Sequence, residues 1–201
     1  RHGDEWLING EKTFITGGNE ADFAMVFAVT DPEKHKEGRV GESVTCFLVD
    51  PDMPGFHVRR VVHTLRSTHY ATELQFDNLR IPPANVLGEV NKGFGIANDR
   101  LSRQRIPYAA GCIGVAVAAQ EMAINYAKQR ETFGDLLATR QAIQWMIVDN
   151  EIDIRTARWL TLEAADLAER KRPYRKEAAA CKLVASEAGG RVVDRSMQIH
   201  G

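Results

Sequence analysis

Apolar positions along the chain follow two rhythms, and the change falls near residue 90. Up to that point apolar residues come in short runs or alternate with polar ones, the two-residue period of half-buried strands. Glu5-Trp6-Leu7-Ile8 and Lys12-Thr13-Phe14-Ile15-Thr16 flank Asn9-Gly10. Asn-Gly between apolar runs is a strong hairpin signal, because both central residues tolerate positive φ. The pattern predicts a third strand over Phe23 to Val29 and a fourth over Val44 to Val49. A fifth is predicted over Phe56 to Val62 after a turn at Pro51 to Gly55, and a sixth around Leu74 and Phe76, stopped by Pro82-Pro83. The polar stretch from Asp31 to Glu42 reads as a mobile surface loop.

After Gly93 the period lengthens. Ile113, Val117, Ala118, Met122 and Tyr126 recur at spacings of three and four, which predicts a helix that Pro107 kinks or marks near its start. A second helix is expected from about 138 to 169, with Ile143, Ile147, Ile154, Ala157, Leu160 and Ala164 on one side and Arg172-Pro173 as its break. A third covers about 175 to 199. Strands followed by long helices predict an α+β chain: a small antiparallel β-barrel or sandwich over 1–90, then an antiparallel helical bundle over 91–201. Gly93-Phe94-Gly95 lacks the third glycine and the preceding βαβ unit of a dinucleotide fingerprint, so it reads as a loop leading into a helix.

Composition narrows the function classes. The chain has 201 residues, 44% hydrophobic and 26% charged, with a net charge of −1, so no basic excess invites nucleic acid. Unbroken apolar runs fall short of a membrane span. Cys46, Cys112 and Cys181 are odd in number and unpaired in spacing, which predicts reduced core thiols and a reducing compartment. His57, His63 and His69 have irregular spacing, so no metal site is expected. Arg1-His2-Gly3-Asp4 has no initiating Met, and Gly201 closes an unfinished phrase; the chain is expected to be a fragment cut at both ends.

Five phrases in register carry a family resemblance. They are Asn9 to Gly18 (NGEKTFITGG); Thr72 to Pro82 (TELQFDNLRIP); Val86-Leu87-Gly88 with Gly93-Phe94-Gly95; Tyr126-Ala127 with Arg130-Glu131-Thr132-Phe133-Gly134 and Gln141; and Gln198-Ile199-His200-Gly201. Together they resemble the middle and carboxy-terminal domains of the acyl-CoA dehydrogenases over essentially the whole chain. The resemblance implies FAD as cofactor and α,β-dehydrogenation of an acyl-CoA thioester, in which a carboxylate removes the α-proton and the flavin accepts the β-hydrogen as hydride.

By the same resemblance, Thr16 hydrogen-bonds the flavin near N5, with Phe14 and Ile15 beside the ring; Phe14 stands where the family usually has Trp, so the apolar wall survives but the indole donor does not. Arg130, with Thr132 and Phe133, is expected at the FAD pyrophosphate of a neighbouring subunit, Arg140 and Gln141 near the cofactor, and Gln198 and Gly201 at its adenosine end. Ser102 and Arg105 are expected near the substrate. No catalytic base is named within the chain: the family's usual Glu falls after Gly201, and the alternative position used by a minority subgroup is Gln104. Implied partners are an acyl-CoA, an electron-transfer flavoprotein, and further copies of the chain as a homotetramer or at least a homodimer, in the bacterial cytoplasm or mitochondrial matrix. An oxidase or monooxygenase of the same fold, and a non-enzymatic binding member, stay open as alternatives.

Overall fold

A computed structural model describes residues 3–63 and 70–201. The chain divides into two compact units, Arg1–Asn98 and Asp99–Gly201. Arg1, His2 and His69 lie outside the described residues.

The first unit is built from two three-stranded antiparallel sheets. One has the order β1 (Trp6–Thr16), β5 (Ala71–Ile81), β4 (Phe56–Val62); the other has the order β2 (Ala24–Val29), β3 (Val44–Val49), β6 (Val86–Leu87). Their inward side chains form one core: Ile8, Leu74, Phe76, Leu79 and Ile81 from the first sheet with Val26, Phe47 and Val49 from the second. Trp6 meets Phe47 edge-on at 5.6 Å, and Phe56 meets Phe76 in the same way at 5.6 Å. Phe47, Leu79 and Ile81 are fully buried, each contributing roughly 2 kcal/mol of hydrophobic stabilisation.

The hairpin expected at Asn9-Gly10 does not form. β1 runs through it as one 11-residue strand. The pairing steps from Ile8–Leu79 to Gly10–Phe76, so that Asp77 and Asn78 together oppose Asn9. Asn78 takes φ 50° and Gly10 φ 148°. The positive-φ residues are present, but they make a β-bulge, because the partner strand comes from residues 71–81 and not from the adjacent run. The bulge also resets the alternation of β5, whose buried positions pass from Thr72, Leu74 and Phe76 to Leu79 and Ile81.

The expected mobile loop at 31–42 is ordered. It holds a short helix α1 (Pro32–Lys36), capped by Asp31, whose carboxylate accepts the Lys34 N–H at 3.1 Å, and a 3-10 turn, Val40–Glu42. Polar composition reflected its exposure and not a lack of structure.

α2 (Gly93–Ala127) starts in the first unit. Gly93 is required there: a Cβ would fall 2.3 Å from the Cys46 nitrogen and 2.6 Å from the Thr45 carbonyl carbon. Thr30, Thr45 and Asn91 form a hydrogen-bonded cluster just before it. No unbroken apolar run in α2 approaches a membrane span, yet among the described residues this 35-residue helix is the one long and apolar enough, by length and composition only, to cross a membrane. Small residues interleaved with large ones hide this from a run count. The same composition serves a bundle seam: Ala109, Ile113, Ala116, Ala123 and Ala127 are all buried.

The second unit packs α2 with α3 (Gln141–Glu169) and α4 (Arg175–His200). Its core is small-sided, with Ala109, Ala116, Ala157, Ala164, Ala185 and Ala188 around Ile113, Ile154 and Val192. A two-residue-per-strand hairpin, β7 (Glu131–Thr132) and β8 (Asp135–Leu136), joins α2 to α3. Pro107 lies inside α2, well past its first turn, where it removes one i→i−4 hydrogen bond from the helix. α3 is apolar on two sides: opposite its buried face, Trp145, Val148, Ile152, Trp159 and Leu162 are each more than half exposed.

Candidate functional site

The end of β1 is shaped by a second bulge. Between the Lys12–Leu74 and Ile15–Thr72 pairs, Thr13 and Phe14 oppose Glu73 alone. Phe14 adopts φ 60°, a conformation that costs a bulky residue roughly 1 kcal/mol or more. The extra residue changes the phase of the side chains. Ile15 turns inward onto the sandwich core, while Phe14 stays 67% exposed and Thr16 is exposed too. The Thr72 hydroxyl donates to the Ile15 carbonyl at 2.9 Å and the Gly17 N–H to the Tyr70 carbonyl at 3.0 Å, which fixes the strand end. Of the three expected ring contacts, an aromatic face and a hydroxyl are therefore presented outward, and Ile15 packs behind them.

In the second unit, residues 130–141 and 198–201 gather at one end of the bundle. The Leu137 N–H donates to the Arg130 carbonyl at 2.7 Å, closing the hairpin. Its tip, Phe133-Gly134, has φ 52° and 83°, and Phe133 is fully exposed. Arg140 donates to the Thr132 carbonyl and lies 3.7 Å from the Asp135 carboxylate, so it braces the hairpin. Arg130 is exposed and its guanidinium makes no ion pair among the described residues. Gln141 opens α3, where first-turn N–H groups lack helical partners and favour anions. Ile199 is buried against Ala123 and Ala127, with Leu137, Ala138 and Ile143 beside them. The Tyr126 and His200 rings lie 4.6 Å apart. Gln198 and Gly201 are exposed at this end.

Ser102 and Arg105 are half-buried on α2. Nearby Asp99 pairs with Arg103 at 3.1 Å. Gln104 faces a groove of about 840 Å³ between α2 and α4, shared with Tyr108, Cys112, Gly189, Val193 and Met197. No group of three or more His, Cys, Asp or Glu side chains is assembled for a metal among the described residues. Cys46 and Cys181 are buried, and burial pushes both thiols up.

A polar network crossing three helices was not anticipated. The Gln120 amide donates to the Ile147 carbonyl at 2.8 Å, and the Asn150 amide donates to Gln120 Oε1 at 2.9 Å. Arg195 donates to Asn150 Oδ1 at 3.2 Å and to Asp153 Oδ2 at 2.8 Å; Arg191 forks onto the same carboxylate at 2.7 and 3.1 Å. Hydrogen bonds from Arg191 and then Arg195 hold the Asp153 carboxyl below the usual carboxylate range, against the opposing effect of burial. The available signal was a Gln and an Asn on apolar helix faces, one between Ala116 and Ala123, the other between Ile147 and Ile154.

Family models match nearly the whole chain: the acyl-CoA dehydrogenase middle domain over residues 1–79 and the acyl-CoA dehydrogenase C-terminal domain over 91–201. The chain belongs to the acyl-CoA dehydrogenase family. Among curated relatives, it is 39% identical to the mitochondrial short-chain specific acyl-CoA dehydrogenase of Bos taurus, over 99% of this chain and 47% of that protein. It is 38% identical to the NADH-dependent acryloyl-CoA reductase of Anaerotignum propionicum, over 98% of this chain and 49% of that one. The butyryl-CoA dehydrogenase structure of Megasphaera elsdenii superposes with a TM-score of 0.91 at 37% identity, over 100% of this chain and 52% of that one. The chain thus spans about half the length of the curated relatives it matches. The shared fold is the sandwich-then-bundle order described above.

Proposed function

We propose that the intact protein is an FAD-dependent acyl-CoA dehydrogenase that introduces an α,β double bond into an acyl-CoA thioester. The observation that carries this reading is the in-register match of both family domains, combined with outward presentation of the side chains that resemble the family's cofactor contacts. FAD, when bound, supplies a two-electron acceptor for the substrate's β-hydrogen.

The donor set fits such a cofactor. Phe14 offers a flat apolar wall and Thr16 a hydroxyl able to donate or accept at a ring nitrogen. Arg130 has an exposed planar fork, without an ion-pair partner among the described residues, suited to phosphate oxygens, next to the anion-favouring start of α3 and the exposed Phe133 ring. Arg140 acts behind them by bracing the hairpin. Gln198 and Gly201 offer an amide and a backbone group at the same end of the bundle. Arg105 and Ser102 contact the thioester substrate or the rim of its chamber.

The base that takes the α-proton is a Glu following Gly201. Gln104 carries no carboxylate, and Asp99 is engaged by Arg103. An electron-transfer flavoprotein is the proposed oxidant of the reduced enzyme. Arg130 completes the site of a neighbouring copy in a homodimer or homotetramer, and the outer apolar stripe of α3 favours such an assembly. The three free thiols, Cys46, Cys112 and Cys181, suit a reducing compartment, the bacterial cytoplasm or the mitochondrial matrix.

The 38% identical acryloyl-CoA reductase favours a second reading, the same chemistry run towards saturation. The test uses the full-length polypeptide. A flavin absorption spectrum bleached by a panel of acyl-CoAs is expected, with reoxidation faster by electron-transfer flavoprotein than by air. A protein that purifies colourless and takes up no FAD refutes both readings. Rapid reoxidation by air replaces the dehydrogenase with an oxidase.

A further inference from the structure

The seam of the helical unit poses a registration problem. Its buried alanines repeat at seven-residue intervals: Ala109, Ala116 and Ala123 on α2, Ala157 and Ala164 on α3, Ala178 and Ala185 on α4. Sliding a helix by seven residues, about 10.5 Å along its axis, brings an alanine back to two of the three buried alanine places on α2 and to one of the two on α3 and on α4. Each alanine methyl contributes few interlocking contacts, which leaves the register to Ile113, Ile154 and Val192 and to polar contacts. Directional polar contacts discriminate well: a buried Asn commonly fixes which register a helical interface adopts.

We infer that Gln120, Asn150, Asp153 and Arg195 are positioning residues that lock the axial register of α2, α3 and α4 and thereby set Gln198 for the cofactor. Asn150 is wholly buried and Gln120 is 5% exposed, and the network joins one side chain from α2, two from α3 and one from α4. Its second bond to the Ile147 carbonyl ties Gln120 to the α3 backbone itself. Arg195 stands three residues before Gln198, and Ile199 then packs on Ala123 and Ala127. One slip of α4 would withdraw Gln198, Ile199 and His200 together from Tyr126 and the hairpin. A network kept only for stability is a poor explanation, since well-packed apolar replacements of buried polar groups are commonly neutral or stabilising. The inference rests on the proposed FAD role of Gln198.

The test replaces the network by apolar side chains of similar volume, Gln120→Leu with Asn150→Leu, in the full-length protein. Three quantities are read: melting temperature, FAD dissociation constant, and the distance distribution between spin labels at positions 128 and 194. The expected result is an unchanged or higher melting temperature, a broadened or split distance, and FAD affinity weakened ~10-fold. A single sharp distance with unchanged FAD affinity overturns the inference. So does a lowered melting temperature with a single sharp distance, which makes the network merely stabilising. Arg195→Met, at a more accessible position, carries the same readouts if the double variant does not fold. Gln198→Ala separates the two claims: if it leaves FAD affinity intact, the cofactor role of Gln198 fails, while the spin-label distances still decide the register.

Discussion

The Asn9 side chain holds the Asn78 backbone: its carboxamide oxygen accepts the Asn78 N–H at 2.8 Å, although the two residues are 69 apart in sequence. The bond supplies the partner that the bulged N–H lacks in the ladder. It also stabilises the left-handed turn of Asn78, where β5 changes the face it buries.

Replacing Asn9 by Ala removes that acceptor. A loss of about 1 kcal/mol in unfolding free energy is expected, read by urea denaturation. Asn9→Asp keeps an acceptor and should cost less. Equal losses in the two variants would show that the bond contributes nothing.

Phe14 carries backbone strain without compensating burial. Phe14→Gly relieves its positive φ and should stabilise the first unit by about 1 kcal/mol. Flavin affinity and the shape of the flavin absorption bands should deteriorate at the same time. A stability gain with an unchanged flavin spectrum would remove Phe14 from the cofactor site.

Asp153 makes stability depend on acid pH. Its carboxyl is held below the ordinary range by Arg191 and Arg195, so its contribution is complete above the unfolded value of about 3.9. That contribution fades as pH falls through the lower folded-state value. Asp153→Asn should therefore lose about 2 kcal/mol of unfolding free energy at neutral pH. The parent and variant curves should converge as pH is lowered below 4. Parallel curves would exclude this linkage.

Arg130 and Arg140 should fail differently. Arg130→Lys keeps the charge but loses the fork, and FAD affinity should fall roughly 10-fold or more with no change in melting temperature of the FAD-free protein. Arg140→Ala should lower the melting temperature as well, because it releases the Thr132 carbonyl and the hairpin. Isothermal titration with FAD and thermal melts separate the two.

Element types and the order of the chain were legible because burial imposes period. Val44–Val49 and Phe56–Val62 coincide with observed strands, and the breaks at Pro82-Pro83 and Arg172-Pro173 follow from proline's missing donor. The phase change from Leu74 and Phe76 to Leu79 and Ile81 was also in the letters; it marks the bulge that an Asn-Gly turn rule overrode. At the hairpin tip Gly134 suits its positive φ, whereas Phe133 at φ 52° does not, and nothing in the local pattern signalled it.

Periodicity and short motifs were enough to read the change from strands to helices near residue 90, the strands Val44–Val49 and Phe56–Val62, the three long helices and the family, because these signals are local and survive without knowledge of partners; they missed α1, β6 and the β7–β8 hairpin. Tertiary structure alone decided which strand β1 pairs with, that Ile15 faces the core while Phe14 and Thr16 face out, and that Arg140 is used internally while Arg130 is exposed with no ion pair among the described residues. It alone assembled Gln120, Asn150, Asp153 and Arg195, residues up to 75 positions apart. These are pairwise choices made by geometry between distant segments, and a one-dimensional pattern records the preferences of each residue but not the neighbour that satisfies them.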